Sequence, residues 1–303
     1  MKVARLCPIC ESSEADARLF LNENIDEKKI SKYSFASRKQ PEYMCHRLLR
    51  CNTCDLVYVS HPPKQSELAE AYHLAEYDSS EEADDAAQAY LVAIYPTLLK
   101  IQNKGRVLDI GSGTGVLLEL LKAEGFSELV GVEPSPAAIA AAPAHRRNWL
   151  IEGIFEERQF EPESFDLICC FMTMEHVSDP RSTAIAARKL LRPGGAFVTV
   201  THDYGSFVNK FLGKRSPIID IEHMQLFSKI SIFELFTRCN FSDILVSPFK
   251  NRYSVAYWIR LAPIPDRLKL GLLKLIKYIG CDKFKLKIGV GNIIASGFKI
   301  SKQ

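Results

Sequence analysis

Short apolar runs alternate with amphipathic segments through most of residues 105–250. The runs have the length of strands, the segments have helical spacing, and turn residues separate them. This rhythm predicts strands at 106–110, 129–133, 149–152, 165–172, 196–201, 244–248 and 293–300. Helices are expected at 116–124, 137–142, 183–191 and 229–239, the third of them ending at the breaker cluster 192–195. Strands that alternate with helices indicate a doubly wound, Rossmann-like α/β sheet of seven strands.

Residues 1–104 have a different texture. Residues 1–62 carry cysteines and little helical periodicity, and residues 63–104 are interpreted as a helical connector. The α/β domain would then occupy 105–303, with a basic helical insertion near 255–290. No apolar run reaches the roughly 18 residues of a membrane-spanning helix, and no secretory signal is recognisable. We therefore expect a cytoplasmic location.

The front segment contains two C-x2-C pairs separated by 40 residues. Two such pairs can complete a tetrahedral site of four thiolates, so a structural Zn²⁺ is predicted in a ribbon-like module. Its ligands would be Cys7, Cys10, Cys51 and Cys54. Cys45 and His46 are alternative ligands, and unligated thiols or a redox pair are alternative interpretations. Cys169 and Cys170 belong to an apolar run and are expected to be buried as small hydrophobic side chains.

The strongest motif is the sequence Val-Leu-Asp-Ile-Gly-Ser-Gly-Thr-Gly at 107–115. A strand, a glycine turn and a helix in this order let a ligand lie against bare backbone. The G-x-G-x-G spacing differs from the G-x-G-x-x-G of dinucleotide folds, which leaves a dehydrogenase as the alternative. Glu133 closes the next strand, where a carboxylate can accept both hydroxyl groups of a ribose.

Five ordered segments together resemble the motifs of class I S-adenosylmethionine-dependent methyltransferases. They are residues 109–115, 131–135, 164–168, 175–180 and 191–195. The resemblance implies S-adenosylmethionine as the cofactor, with Asp109 holding its amino group and Glu133 its ribose. Gly111 and Gly113 would leave room for the methionine part. Further contacts are expected from Ser112, Pro134, Ile154, Phe155 and Phe171.

The adenine subsite departs from the family pattern. Many relatives carry Gly-Asp where this chain has Gly153-Ile154, and that Asp holds the adenine amino group. An isoleucine side chain accepts no hydrogen bond. Adenine is therefore expected to contact Ile154 or Phe155 and the backbone, with Glu156 as a substitute acceptor.

Three histidines are candidate bases for the methyl transfer. His176 and His202 follow the predicted strands 165–172 and 196–201, whose carboxyl ends should face the ligand. His223, with Glu222, belongs to a segment that resembles the Glu-His-x-x-x-Phe-Ser pattern of deoxysugar C-methyltransferases, where the matching pair serves catalysis. Structural roles are the alternatives: loop positioning for His176 and a helix cap for His223.

The segment 50–58 also resembles the N-terminal zinc segment of these sugar-modifying enzymes. Their further C-terminal α/β domain has no counterpart here, so we expect O-methylation of a sugar or glycan precursor. The acceptor would be a small molecule or a lipid-linked glycan. The alternatives are a deoxysugar C-methyltransferase, a ribosomal-RNA methyltransferase and a non-catalytic binding protein.

Charge is distributed unevenly along the chain. The net charge of +3 is the sum of −3 over 1–104, −4 over 105–249 and +10 over 250–303. The acidic front argues against a nucleic-acid partner. Leucines and lysines at helical spacing near 268–277 predict a basic amphipathic helix. Such a helix can lie on an anionic bilayer, as a peripheral contact at the inner face of the membrane, or pack over the sheet with solvated lysines.

Overall fold

The fold is seen in a computed structural model that describes residues 5–31, 33–35, 42–76, 81–262 and 264–300. The front of the chain forms three short strands, β1 (Ala17–Leu21), β2 (Leu48–Cys51) and β3 (Val57–Val59), followed by the helices α1 (Gln65–Leu74) and α2 (Glu81–Leu98). The two helices lie in the predicted connector, of which residues 77–80 are outside the described part.

The remaining strands build the central sheet and one small addition to the front strands. They are β4 (Arg106–Ile110), β5 (Glu128–Glu133), β6 (Leu150–Glu152), β7 (Phe165–Phe171), β8 (Leu191–His202), β9 (Gln225–Leu226), β10 (Ser242–Ser254) and β11 (Lys285–Phe298). The central sheet has seven strands in the order β10-β11-β8-β7-β4-β5-β6. β4 to β8 pair in parallel, and β11 pairs antiparallel with both β8 and β10.

Helices cover both faces of this sheet. They are α3 (Val116–Ala123), α4 (Pro136–Ala141), α5 (Ala144–Arg147), α6 (Pro180–Leu190), α7 (Phe207–Leu212), α8 (Lys229–Arg238), α9 (Val255–Leu261) and α10 (Asp266–Tyr278). Successive residues of β7 point to opposite faces and join two cores, one shared with α2 and α3 and the other with α6 and α8. Cys169 and Cys170 are buried in this strand, one in each core. The predicted doubly wound, Rossmann-like sheet is confirmed.

Several element ends differ from the predicted ones, each for a local reason. Helix α6 starts at Pro180 instead of 183, because the Asp179 side chain accepts the Ser182 N–H and proline suits the first helical position. β8 already starts at Leu191, since this residue pairs with Phe165 of β7. The breaker cluster at 192–195 therefore lies within the strand.

The C-terminal insertion is shorter than predicted. It contains α9 and α10, but residues 285–290 belong to β11, which pairs with β10 out to Ser254. Both strands are longer than the predicted 244–248 and 293–300, because each supplies the partner of the other. Helix α10 packs chiefly on α9, and Ile276 is its buried residue. Packing over the sheet, one of the two alternatives expected for this helix from the sequence, is therefore not its main contact.

The cysteine-bearing front is joined to the α/β domain. β9 lies beside β3, so the second sheet has the order β1-β2-β3-β9. Its fourth strand thus comes from within the α/β domain. Ile9, Leu56 and Tyr58 also belong to the same buried cluster as Leu108 and Phe165 of the central sheet. The two parts of the chain therefore share a hydrophobic core.

No helix within the described residues combines the length and the apolar character that crossing a bilayer requires.

Candidate functional site

A cavity of about 890 Å³ lies at the carboxyl ends of β4, β5, β7 and β8. In a doubly wound sheet this is the edge where ligands bind. The cavity is lined by nine of the residues predicted to contact the cofactor, namely Asp109, Gly111, Ser112, Gly113, Glu133, Pro134, Ile154, Phe155 and Phe171. It is also lined by every predicted catalytic residue, namely His176, His202, Glu222 and His223. The structure thus brings the two predicted sets together.

Gly111 and Gly113, in the turn after β4, differ in what lies beside their Cα atoms. Both have positive φ angles, +76° at Gly111 and +54° at Gly113, where a side chain would strain the backbone. A Cβ atom on Gly111 would lie 2.2 Å from Oγ1 of Thr173, so this glycine makes room for Thr173. A Cβ atom on Gly113 would meet nothing within 4 Å. Open space for a ligand is therefore found at Gly113, whereas the sequence placed it at both.

Two buried carboxyl groups flank this turn. Asp109 is 3% exposed, and its Oδ1 has no hydrogen-bond partner among the described residues. Burial, and then the charge of Glu133, raise the pKa of Asp109 to about 7. Burial also raises the pKa of Glu133, and two N–H donors oppose that rise: Gly113 at 2.7 Å and Ser135 at 2.9 Å.

These groups fit S-adenosylmethionine. The unpartnered Asp109 carboxylate suits the cationic amino group of the ligand, and a charge-assisted hydrogen bond would satisfy it. Both oxygens of Glu133 already accept one backbone N–H, which holds the carboxylate in place with lone pairs left for ribose hydroxyls. Bare backbone at Gly113 admits the rest of the ligand between them.

The adenine end is apolar. Ile154 and Phe155 line the cavity, and Phe155 stacks on Phe160 with ring centres 6.4 Å apart. Glu156, expected as a substitute acceptor for the adenine amino group, is not among the lining residues. Its carboxylate accepts a hydrogen bond from Nε of Arg158 at 2.7 Å instead.

The three candidate histidines form one cluster. Ring centres are 4.9 Å apart for His176 and His223, and 5.5 Å apart for His202 and His223. Nitrogen and oxygen atoms of His176, Glu222 and His223 lie within 4.8 Å of one another, a spacing that a bound hydroxyl or a metal ion can bridge. The three histidines come from three segments: His202 from the end of β8, His176 from the loop after β7 and His223 from the segment before β9.

His223 is arranged to accept a proton. Its Nδ1 lies 2.8 Å from the carbonyl oxygen of Ile218, which places the ring proton on Nδ1 and leaves Nε2 as an acceptor. Burial, and then the neighbouring His176, lower the pKa of His223. Burial likewise lowers the pKa of His176. Both rings are therefore neutral near pH 7, the form that a general base requires.

Glu175 lies next to His202, one of the three histidines of the cluster. It is fully buried, and its Oε1 accepts the backbone N–H of His202 at 2.7 Å and lies 3.3 Å from Nδ1 of the same histidine. Burial raises the pKa of Glu175, but the histidines, His202 first, outweigh this effect and the net pKa is lowered. A carboxylate in this position orients His202 and stabilises positive charge on the cluster.

Two buried asparagines of the cavity were missed by the sequence reasoning. Asn251 of β10 and Asn292 of β11 both line the cavity, and Oδ1 of each has no hydrogen-bond partner in the described structure. Asn292 is paired in the sheet with His202. A polar residue within the apolar stretch of β11 is the signal that could have indicated Asn292, whereas Asn251 lies between Lys250 and Arg252 and has no such signal. Their side-chain amides give the apolar cavity a polar end beside the histidines.

The four predicted zinc ligands form a second site apart from the cavity. The Sγ atoms of Cys7 and Cys54 are 3.4 Å apart, as are those of Cys10 and Cys51, and all four Sγ atoms lie within 4.8 Å of one another. A hydrogen bond from Cys54 lowers the pKa of Cys7 to about 5. Four converging sulfurs at this spacing fit a tetrahedral Zn²⁺.

The alternative zinc ligands lie elsewhere. Cys45 is buried, where its thiol donates to the carbonyl of Asn22, and burial raises its pKa to about 11. His46 faces Glu23 at 3.9 Å. Neither residue belongs to the four-sulfur cluster.

Comparison with known proteins gives a consistent family. Residues 83–246 match the family described as a methyltransferase domain. A ubiquinone biosynthesis O-methyltransferase of Aromatoleum aromaticum is 33% identical over 116 residues, 36% of this chain and 49% of that protein. The enzyme of the same name from Vibrio atlanticus is 28% identical over 116 residues, 36% of this chain and 48% of that protein. The chain thus spans about half the length of these curated relatives.

Among solved structures, a SAM-dependent methyltransferase from Archaeoglobus fulgidus aligns with a TM-score of 0.48. The aligned residues are 15% identical, and the alignment covers 78% of this chain and 100% of the Archaeoglobus protein.

Asp109 makes ligand binding depend on pH. S-adenosylhomocysteine carries the same cationic amino group, so its affinity should fall as pH drops through 7 and Asp109 becomes protonated. From a pKa of about 7, titration calorimetry should give a dissociation constant about tenfold higher at pH 6 than at pH 8. Asp109→Asn should bind weakly at both pH values. Unchanged affinity between pH 6 and 8 in the unsubstituted chain would contradict this role.

Proposed function

We propose that this chain, which belongs to the methyltransferase-domain family, transfers the methyl group of S-adenosylmethionine to a hydroxyl oxygen of an amphiphilic acceptor. The ligand supplies an activated methyl group, so the protein has to orient the acceptor and remove its proton. The observation that carries the proposal is the cluster of three histidines in the same cavity as Asp109 and Glu133.

The polar end of the cavity suits a hydroxyl group. Nε2 of His223 is free to accept the hydroxyl proton, and Glu175 behind His202 stabilises the charge that appears on the cluster. Oδ1 of Asn251 and Oδ1 of Asn292, each without a partner in the described structure, can accept hydrogen bonds from further hydroxyl groups of the acceptor, which relieves the cost of leaving these atoms buried and unpaired.

The remainder of the cavity suits an apolar carrier. Aromatic and aliphatic side chains line it beyond the histidines: Phe35, Leu68, Tyr72, Tyr90, Val208, Leu212, Tyr253, Tyr257, Trp258, Leu261 and Ile288. Apolar walls with a few converging polar groups are typical of sites for largely apolar ligands. The curated relatives, by their name, methylate an oxygen in ubiquinone biosynthesis, which supports oxygen as the acceptor atom. The lipid-linked glycan expected from the sequence also combines a hydroxyl group with an apolar carrier.

Acceptor class can be tested with tritiated-methyl S-adenosylmethionine. The full chain would be incubated with hydroxylated alkylphenols, lipid-linked sugars, free nucleotide sugars and ribosomal RNA, and the methylated product would be measured. We expect transfer to alkylphenols or lipid-linked sugars, because both fill the apolar walls. Transfer confined to nucleotide sugars or to RNA would contradict the proposal.

His223 is the predicted base. His223→Gln should lower kcat on the accepted alkylphenol or lipid-linked sugar by about 100-fold or more, because it removes the proton-accepting Nε2 that the Nδ1 hydrogen bond to Ile218 defines. The affinity for S-adenosylhomocysteine, measured by calorimetry, should stay unchanged. His145→Gln is the matched control, since this exposed histidine of α5 lies outside the cavity. Full turnover in His223→Gln would refute the base assignment.

We further propose that the four cysteines bind one structural Zn²⁺. Four protein ligands leave no open position on the metal, and the cluster lies outside the catalytic cavity, so the ion would stabilise the front sheet.

Metal analysis tests the zinc assignment. The purified chain should contain one Zn²⁺ per molecule, and Cys51→Ser should lose most of it and melt at a lower temperature. Cys281→Ser is the control, because this cysteine is exposed and belongs to no cluster within the described residues. Metal-free protein with unchanged thermal stability would contradict the assignment.

A further inference from the structure

Helix α7 presents two aromatic rings to solvent. Phe207 is 83% exposed and Phe211 80%, and their rings stack with centres 6.2 Å apart. On its other side the same helix contributes Val208 and Leu212 to the wall of the cavity. Burial of two phenylalanine rings is strongly favourable, so an exposed pair on a cavity wall indicates a surface that is covered in use.

A second apolar surface lies on α10 and the start of β11. Helical spacing places Leu268 and Leu275 of α10, and Ile279 directly after its end, within about 20° of one direction, and all three are exposed. Tyr278, 90% exposed, and Phe284 extend this surface. Of the 24 large hydrophobic side chains that are exposed in the described part of the chain, ten lie in α7 or between 266 and 288.

Both surfaces border the same cavity. Trp258 and Leu261 of α9, on which α10 packs, line the cavity, as do Ile288 and Val290 of β11. Val208 of α7 lines it as well, and α7 packs on β11. An apolar molecule that leaves either surface therefore has a short path into the site.

The segments that carry these surfaces are predominantly basic, and two of their lysines are ion-paired, Lys269 with Asp266 and Lys285 with Asp85 of α2. Residues 264–290 contain seven basic and two acidic residues, and residues 206–216 contain three basic and no acidic residue. Lys274 and Lys277 are exposed on α10, about 120° and 180° around the helix from the leucine direction, and Lys274 lies about 40° from the exposed Tyr278. The described residues offer neither lysine an ion-pair partner within 4.0 Å. Exposed lysines that flank apolar side chains are the pattern that binds anionic lipid surfaces.

We propose that α7 and the α10–β11 segment form a membrane-docking surface for an anionic bilayer. Its apolar part consists of Phe207, Phe211, Leu268, Leu275 and Ile279, and its basic part includes Lys274 and Lys277. Docking would bring the cavity to the lipid phase, so that an amphiphilic acceptor enters from the bilayer. Only this last step rests on the proposed function. A second copy of the chain is a poorer occupant, since two such basic surfaces repel each other.

Vesicle co-sedimentation tests the surface without any acceptor. The full, metal-loaded chain should sediment with vesicles of phosphatidylcholine mixed with phosphatidylglycerol at moderate salt, and much less with phosphatidylcholine alone. The double variant Phe207→Ser/Phe211→Ser and the double variant Lys274→Gln/Lys277→Gln should each weaken apparent binding to the mixed vesicles by about tenfold.

Matched controls separate this surface from general stickiness. Ile230→Ser/Phe233→Ser removes an exposed apolar pair from α8, and Lys28→Gln/Lys29→Gln removes an exposed basic pair from the front segment. Both should bind vesicles like the unsubstituted chain.

Three outcomes would overturn the proposal: no binding to anionic vesicles, equal weakening by the control variants, or dimerisation through Phe207 and Phe211 in light scattering. Calorimetry with S-adenosylhomocysteine distinguishes the two hypotheses, since a chain that binds this ligand but not vesicles refutes only the docking surface.

Discussion

The buried side chain of Gln225 holds three parts of the molecule together. Its amide donates to the carbonyl oxygens of Met174 and Val177 at 2.6 and 2.7 Å, on either side of the histidine loop after β7. Its backbone pairs with Tyr58 of the cysteine-bearing front. A buried amide group is costly to leave without its hydrogen bonds. The segment before β9, the loop after β7 and the front sheet are therefore expected to form together.

The position of the histidine cluster depends on this joint. The carbonyl of Glu175 accepts the N–H of Met224 at 2.8 Å, which holds the loop that carries His176 against the segment that carries His223. Arg5 adds a second tie, donating to the carbonyls of Val59, Ser178 and Met224. The front sheet therefore has a positioning effect on the cavity although none of its cysteines lines it.

Charge divides the cavity into two chemical halves. Asp109 and Glu133 are buried without a described cation beside them, an arrangement that favours a ligand bringing its own positive charge. His176 and His223 at the other end are held neutral by burial, which favours proton acceptance over charge pairing. In the proposed reaction, S-adenosylmethionine would neutralise the acidic half, while the methyl acceptor would meet a histidine base in the other half.

Local pattern was sufficient to predict the strands of the parallel core and the residues at their ends. β7 could be recognised because it is buried on both faces and therefore apolar throughout. The extent of β10 and β11 could not, since each strand is defined by a partner about 40 residues away in the chain. The convergence of the histidines and the pairing of β3 with β9 depend on long-range hydrogen bonds that leave no periodic signal. Asn251 and Asn292 escaped prediction because both lie just outside the strands expected at 244–248 and 293–300, in the parts of β10 and β11 that only their mutual pairing defines.

The cysteine-bearing front and the α/β domain share a hydrophobic core and the β3–β9 pairing, so they should unfold together. Calorimetry tests this directly. Differential scanning calorimetry of the metal-loaded chain should show a single unfolding transition, with calorimetric and van't Hoff enthalpies in agreement. Cysteine front and α/β domain would then unfold as one cooperative unit. Two separate transitions, with the thiols becoming reactive in the first while S-adenosylhomocysteine stays bound until the second, would contradict the account.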